Sequence, residues 1–449
     1  MLDVISEIEN RLSDSSAKGL SQAVTRAIRE GVLRPGDRLP PVRELAHQLA
    51  LSPTTVSAAW ALLVRAGTIQ TAGRRGTIIM DLHTQRQVRY RNPANADRPY
   101  EFDLSTGAPD PRLLPDTTQA MQRALTGASR SGYTEGAVDP SLMEVLTATW
   151  PYEPPAITVV DGALDALDLL IRSRLRMGDR VIVETPTVRG LLDLLVWAGI
   201  EPVGVPMDEE GMVPEAFAAA MRTPTQMVFL QPRAHNPTGI AMTTPRARLL
   251  ANIVKNTETL VVEDECGSAI SAAREVTLGK LLPGQTVHVR SYSKSHGPDL
   301  RLAAMGGPED VIAGIGHLRN LGQGWTSWLL QRVLRELLLD PRVTAQVEHA
   351  RAEYARRQTS FASVLAEHEI RTVGHDGLNA WVPVQDESAA LMRMAVEGVG
   401  AAPGHLFTVG PGEKPHVRIT VGLVTGDVED VAERVVRAAH AGGWHSTVR

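Results

Sequence analysis

Ser291-Tyr-Ser-Lys294-Ser-His-Gly-Pro-Asp-Leu-Arg301 is the stretch on which the reading of this chain turns. Hydroxyl-bearing residues stand just before the lysine, a Gly-Pro break follows it, and an arginine lies seven positions on. This combination suits a phosphate-bearing aldehyde. A deprotonated amine at Lys294 adds to a carbonyl and condenses to a Schiff base, which makes Lys294 the catalytic candidate. Ser293 and Arg301 would clasp the phosphate, since a guanidinium offers a planar fork of donors to its oxygens, and Ser291 supplies a further hydroxyl. Most lysines are solvated loop residues, so the run needs partners elsewhere in the chain.

Those partners stand upstream. Val261-Val-Glu-Asp264 is an apolar strand running into acids, with Asp264 thirty residues before Lys294. A carboxylate beside a pyridine nitrogen keeps that nitrogen protonated, so that the ring withdraws electrons. Val228-Phe-Leu-Gln-Pro-Arg-Ala-His-Asn-Pro-Thr-Gly239 is a second buried-looking strand, and it ends in an Asn-Pro-Thr-Gly turn. Asn236 is placed there to hydrogen-bond a phenolic oxygen. Ile157-Thr-Val-Val-Asp-Gly162-Ala163-Leu164-Asp165 reads as strand, glycine turn and helix start, whose free amides make a phosphate seat.

Strand-glycine-helix, Asn-Pro-Thr-Gly, acid, lysine and arginine, in that order, resemble the fold-type I, aspartate aminotransferase-like enzymes over residues 98–449. The resemblance implies an α/β fold with a mainly parallel sheet in a large lobe and an α+β small lobe from about residue 345. It also implies pyridoxal 5'-phosphate as cofactor and a homodimer formed across the cofactor cleft. It extends to Pro415-His-Val-Arg418, where Arg418 takes the position that binds a substrate α-carboxylate. Two departures follow. Cys266, the one cysteine of the chain, stands where relatives often carry a tyrosine that donates to the phenolic oxygen, and a thiol donates poorly. Near Thr187 relatives often have an aromatic residue, so a stacking platform would have to come from Tyr133 or a tryptophan. His235 reads as structural.

The first eighty residues are not needed for such a domain. Leu20, Ala23, Val24, Ala27 and Ile28 form a helical stripe; Pro40-Pro41 opens a second helix; Ser52-Pro53 caps and starts a third, running to Gly67. Residues 69–79 read as a two-stranded ribbon tipped by Gly73-Arg74-Arg75-Gly76. Three helices and a ribbon make a winged helix-turn-helix. Thr54, Thr55 and Ser57 would face base edges, while Arg43, Arg74 and Arg75 would bind phosphates. The segment resembles the GntR-type winged helix. That type placed ahead of an aminotransferase-like domain is the arrangement of the MocR family of transcriptional regulators.

Composition agrees with this division. Residues 1–80 carry ten Lys and Arg against seven Asp and Glu, a net +3, whereas all 449 residues sum to −5. A basic end on an acidic body suits a nucleic-acid partner. Residues 81–99 are polar, hold Arg86, Arg89, Arg91 and Arg98, and lack amphipathic period, as expected of a tether. The expected domains are therefore 1–80 for DNA, 81–99 as linker, and 100–449 for cofactor binding and dimerisation. No apolar run approaches the ~20 residues that span a bilayer, and the N-terminus does not read as a signal peptide, so the expectation is a cytoplasmic protein with no membrane partner. One cysteine excludes cysteine-rich metal modules, and no metal site is expected.

Two functions follow from these readings. The first is a transcriptional regulator that binds double-stranded promoter DNA and takes pyridoxal phosphate as effector, controlling vitamin B6 metabolism. The second is an aminotransferase acting on an amino acid, with Lys294 as proton shuttle.

Overall fold

The computed structural model of the chain describes residues 2–34, 36–65, 68–71, 76–79, 100–126, 132, 136–410 and 414–442. Two units emerge, one carrying the first 93 residues and the other most of the remainder.

The N-terminal unit has one helix more than the periodicity predicts. Leu2–Glu9 precedes the expected helices at Ala17–Arg29, Val42–Gln48 and Pro53–Arg65. Local chemistry fixes their starts. The Ser16 hydroxyl accepts from the Gly19 N–H at 3.0 Å, and the Ser52 hydroxyl accepts from the Thr55 N–H at 3.0 Å. Strands Ile69–Thr71 and Thr77–Ile79 pair antiparallel, and a short strand Arg38–Leu39 adds to the far side of Thr77–Ile79. The apolar stripe does what its spacing implies: Leu20, Val24, Leu45, Val56, Leu63 and Ile79 share one buried core. Arg74 and Arg75 at the ribbon tip, the segment 81–99 and Tyr133 lie outside the described residues.

An eight-stranded sheet organises the second unit. Its order is Ala156–Val160, Ala303–Gly307, Thr286–Ser291, Leu260–Glu265, Met227–Leu230, Arg180–Thr185, Glu201–Asp208 and Gly211–Met212. Thr286–Ser291, Leu260–Glu265, Met227–Leu230 and Arg180–Thr185 run parallel, whereas Ala303–Gly307 is antiparallel to both neighbours. Met227–Leu230 is wholly apolar and buried, as a sheet covered on both faces requires. Leu260–Glu265 is buried from Val261 on, apolar for its first three residues and acidic for its last three. Helices Ala163–Arg174 and Thr244–Val254 follow strands, giving the expected alternation.

The smaller lobe begins with the 27-residue helix Pro341–Glu367. Beyond it Ala380–Pro383, His416–Ile419 and Ala402–Pro403 form a sheet with His416–Ile419 in the middle. One segment departs from the linear order. Phe102–Asp103 pairs with Val399–Gly400, and Leu104 is buried in the same core as Val417 and Val435. The start of this unit therefore folds with its end. Among the described residues no helix is long and apolar enough to cross a membrane.

Candidate functional site

Ligands of open α/β sheets bind at the carboxyl ends of the strands. Four of the expected site segments sit there, after Ala156–Val160, Met227–Leu230, Leu260–Glu265 and Thr286–Ser291.

Side chains alternate along a strand, so Asp264 shares a face with Cys266 and opposes Glu263 and Glu265. Asp264 is buried, and its Oδ1 has no hydrogen-bond partner among the described residues. Burial first, then the charges of Glu265 and Glu184, pushes its carboxyl up to about 7, while Lys294 acts against the shift. Burial also raises the Cys266 thiol, with Asp264 adding to the effect, so the sulfur is held as a neutral thiol.

Lys294 follows the strand Thr286–Ser291 and is half-buried. Its amine donates to the Gly107 carbonyl. Burial depresses the ammonium, and the Arg418 charge acts in the same direction, which favours the free base needed for attack on a carbonyl. Ser291 is buried, and its hydroxyl accepts from the Ser293 N–H at 3.3 Å.

Arg301 takes a left-handed backbone (φ +48°) and sends its guanidinium to the Asp161 carbonyl at 3.1 Å. It thereby lies over the turn that opens helix Ala163–Arg174. Gly162 has φ +114°, and a Cβ there would stand 3.1 Å from the guanidinium, so the seat needs glycine for both conformation and space. Ala163 and Leu164 are the first residues of the helix. The Asp161 Oδ2 accepts from the Arg319 guanidinium at 3.1 Å and from the Gln323 amide at 2.7 Å.

Asn236 receives a 3.4 Å contact from the Arg418 guanidinium on its Oδ1 and donates its N–H to Gln231 Oε1 at 2.9 Å. Arg418 is 1 % exposed and lies on the central strand of its sheet, so it is no surface arginine on an edge. It also donates to the Ser105 carbonyl and stacks 5.1 Å over the Phe407 ring. Gly107 completes this corner. Its N–H donates to the Thr420 hydroxyl at 2.9 Å, and a Cβ on it would meet the Arg418 guanidinium at 2.8 Å. Thr187 is buried and donates its N–H to the Phe407 carbonyl at 2.8 Å. His235 is fully buried, with Nδ1 2.8 Å from the Thr238 hydroxyl, while its Nε2 lies 3.3 Å from Glu184 without a hydrogen bond among the described residues.

Sequence reasoning missed Gly107, Phe407, Thr420 and Arg319. The one available signal was Ser105-Thr-Gly-Ala-Pro, a turn-rich run at the start of the unit. In the N-terminal unit Arg43, Thr54 and Ser57 are exposed, while Thr55 is half-buried. The Ser52 hydroxyl lies 2.7 Å from that of Thr54 and 2.8 Å from that of Thr55, which ties these groups to the cap.

Two family models match. Residues 16–79 match the bacterial regulatory proteins of the gntR family, and residues 101–435 match aminotransferase class I and II. The chain is 34 % identical over 407 residues to the vitamin B6 salvage pathway transcriptional repressor PtsJ of Salmonella typhimurium, covering 89 % of this chain and 92 % of that protein. This chain belongs to the MocR family. Another relative is the pyridoxine biosynthesis regulator PdxR of Corynebacterium glutamicum, 24 % identical over 78 % of each chain. The aminotransferase-like part of this MocR chain superposes on LysN, the α-aminoadipate aminotransferase of Thermus thermophilus solved with N-(5'-phosphopyridoxyl)-L-leucine. The TM-score is 0.68 at 23 % identity, over 75 % of this chain and 92 % of LysN.

The donor set fits pyridoxal phosphate. A cationic ring nitrogen matches the buried, unpartnered Asp264 oxygen, and a dianionic phosphate matches the glycine-lined helix start beneath Arg301.

Proposed function

We propose that this protein is a transcriptional regulator that binds promoter DNA through its N-terminal unit and responds to pyridoxal phosphate bound in the second. The carrying observation is Asp264. A buried carboxyl oxygen without a partner is costly unless a ligand completes it, and a protonated pyridine is a group of the right charge. Lys294 would hold the aldehyde. Ser291, Ser293, Arg301 and the amides at Gly162, Ala163 and Leu164 would hold the phosphate. Asn236 would hydrogen-bond the phenolic oxygen beside Cys266, and Arg418 would take a carboxylate.

When bound, the cofactor supplies an electron-withdrawing ring and a reversible covalent acceptor for amines. The chain's own residues do the rest. Asp264 keeps a proton at the ring, the depressed Lys294 amine gives up its proton readily, and Arg418 orients an anion. Cys266 offers only a weak donor, which suits binding without fast turnover. A single winged helix makes few phosphate contacts, so useful affinity calls for a homodimer presenting two heads to spaced half-sites. Thr54, Thr55 and Ser57 would face bases, and Arg43, Arg74 and Arg75 phosphates. Ligand binding would then shift the population of DNA-competent dimers. The names of the relatives PtsJ and PdxR support vitamin B6 supply as the regulated process.

A footprint over the promoter region upstream of the adjoining gene, with and without pyridoxal phosphate, tests this reading. Protection that depends on the vitamer in the full-length protein, and is vitamer-independent in Lys294→Ala, is the expected result. Identical footprints in both conditions would overturn it. The completeness of the Lys294, Asp264 and Arg418 set supports aminotransfer as a second reading. Rapid conversion of the bound cofactor to its amine form by added amino acids, with multiple turnovers, would favour that one.

A further inference from the structure

The loop that carries Asn236 is gripped on both sides by one acid that the functional reading does not use. Asp376 lies between the helix Pro341–Glu367 and the strand Ala380–Pro383. Its Oδ2 accepts from the Ala234 N–H at 3.0 Å and from the Ser271 hydroxyl at 2.5 Å, and its Oδ1 accepts from the Ala272 N–H at 2.8 Å. Its own N–H donates to the Gly239 carbonyl at 2.9 Å. Asn236 sits between the two gripped positions, 234 and 239. Ser271 and Ala272 lie on the segment that leaves Cys266, so one carboxylate ties together the loops behind both residues expected at the phenolic oxygen.

The loop does not take this shape by local preference. Ala234 has φ +46°, a conformation that residues with a side chain rarely adopt and that neighbours must impose. The fit around it is close: a Cβ on Gly377 would come 2.5 Å from the Ala234 Cβ, and a Cβ on Gly239 would come 3.1 Å from the Asp376 carbonyl. A carboxylate can accept from three donors at once, whereas an amide would turn an NH2 group toward one of them.

We propose that Asp376 is a positioning residue of the cofactor site, which aims Asn236 without itself touching the ligand. The inference rests on the proposed role of Asn236 at the phenolic oxygen. If Asn236 tunes the proton affinity of the bound chromophore, moving its loop moves the pH at which the visible absorbance band titrates.

The test uses the full-length protein loaded with pyridoxal phosphate and follows the band against pH. Asp376→Asn is expected to shift the midpoint by ~0.5 pH unit or more, in the same direction as Asn236→Ala, and to weaken cofactor binding several-fold. Ser271→Ala, which removes one donor and is the milder change, should shift it the same way by less. Arg434→Gln, which loses the ion pairs to Glu101 and Asp430, should lower the melting temperature and leave the midpoint in place. A wild-type midpoint in both Asp376→Asn and Ser271→Ala, against a shifted Asn236→Ala, overturns the proposal. An unshifted Asn236→Ala removes its premise and overturns it too. A protein that stays colourless with excess vitamer instead sinks the functional reading itself.

Discussion

The strand Leu260–Glu265 treats its two faces differently. On one face Glu263 and Glu265 are fully buried and fully answered. Glu263 accepts from Thr277 at 2.6 Å, the Leu278 N–H at 2.5 Å and His288 at 2.8 Å, and Glu265 takes both prongs of Arg233 at 3.2 and 2.8 Å. On the other face Asp264, also buried, keeps an oxygen with no partner among the described residues. Three consecutive acids thus divide into two whose oxygens are answered within the fold and one that keeps an open oxygen, the one proposed above to meet the ligand. Satisfaction of hydrogen bonds, not burial or residue type, separates the two jobs.

Substitutions along this strand should separate in the same way. Among the described residues, Glu265→Ala would leave the buried Arg233 guanidinium with only the Ala273 carbonyl at 3.4 Å and Glu275 at 4.0 Å. It would cost about 3 kcal/mol, read as a fall in melting temperature of the whole second unit. A near-neutral Glu265→Ala would break the contrast. Asp264→Asn should do the reverse in the cofactor-free protein. The Asp264 carboxyl is protonated in the fold up to about pH 7 and ionises near its ordinary, lower pKa once unfolded. Unfolding therefore releases a proton across roughly pH 4 to 7, and stability falls as pH rises through that window. Asn cannot ionise, so the variant should lose this slope and gain on the order of 2–4 kcal/mol at pH 8, with little change at pH 4. Denaturation midpoints at the two pH values check it, and binding of pyridoxal phosphate should weaken in the same variant.

Glu263→Gln keeps the shape but turns an NH2 group toward one of three donors, an expected loss of about 1–3 kcal/mol with an unchanged cofactor spectrum. Cys266→Ala sharpens the comparison at its weakest point. A neutral, half-buried thiol that donates poorly should leave stability within about 1 kcal/mol. A larger loss in denaturant melts would mean that the open face also carries structural load.

Much of this was legible in the sequence because the signals are local. Asp264 and Asn236 each follow an apolar run that reads as a buried strand, Lys294 stands in a run of hydroxyls closed by Gly-Pro, and the Gly162 turn announces a helix start. Ser52-Pro53 set the fourth helix for the same reason. What stayed hidden depends on distant residues meeting. Gly107 bonds to Thr420 across 313 positions and to Lys294 across 187, and no pattern within a window of sequence encodes either contact. The pairing of Phe102–Asp103 with Val399–Gly400 was invisible for that reason, as was Phe407 beneath Arg418. The helix Leu2–Glu9 was missed for a different one: its eight residues are too few for a period to show, and it is fixed by burying Ile5 and Ile8 against the neighbouring helices.

The segment Ser105–Gly107 has one more consequence. Its carbonyls already accept from two of the pocket's basic side chains, Arg418 through Ser105 and Lys294 through Gly107. An incoming molecule must therefore trade places with main-chain oxygens instead of filling vacant positions. A neutral competitor gains little from such an exchange, because it offers no better acceptor than the one it displaces. An anion offers roughly double. On the proposed reading the pocket would rank visitors by charge before it measures their outline.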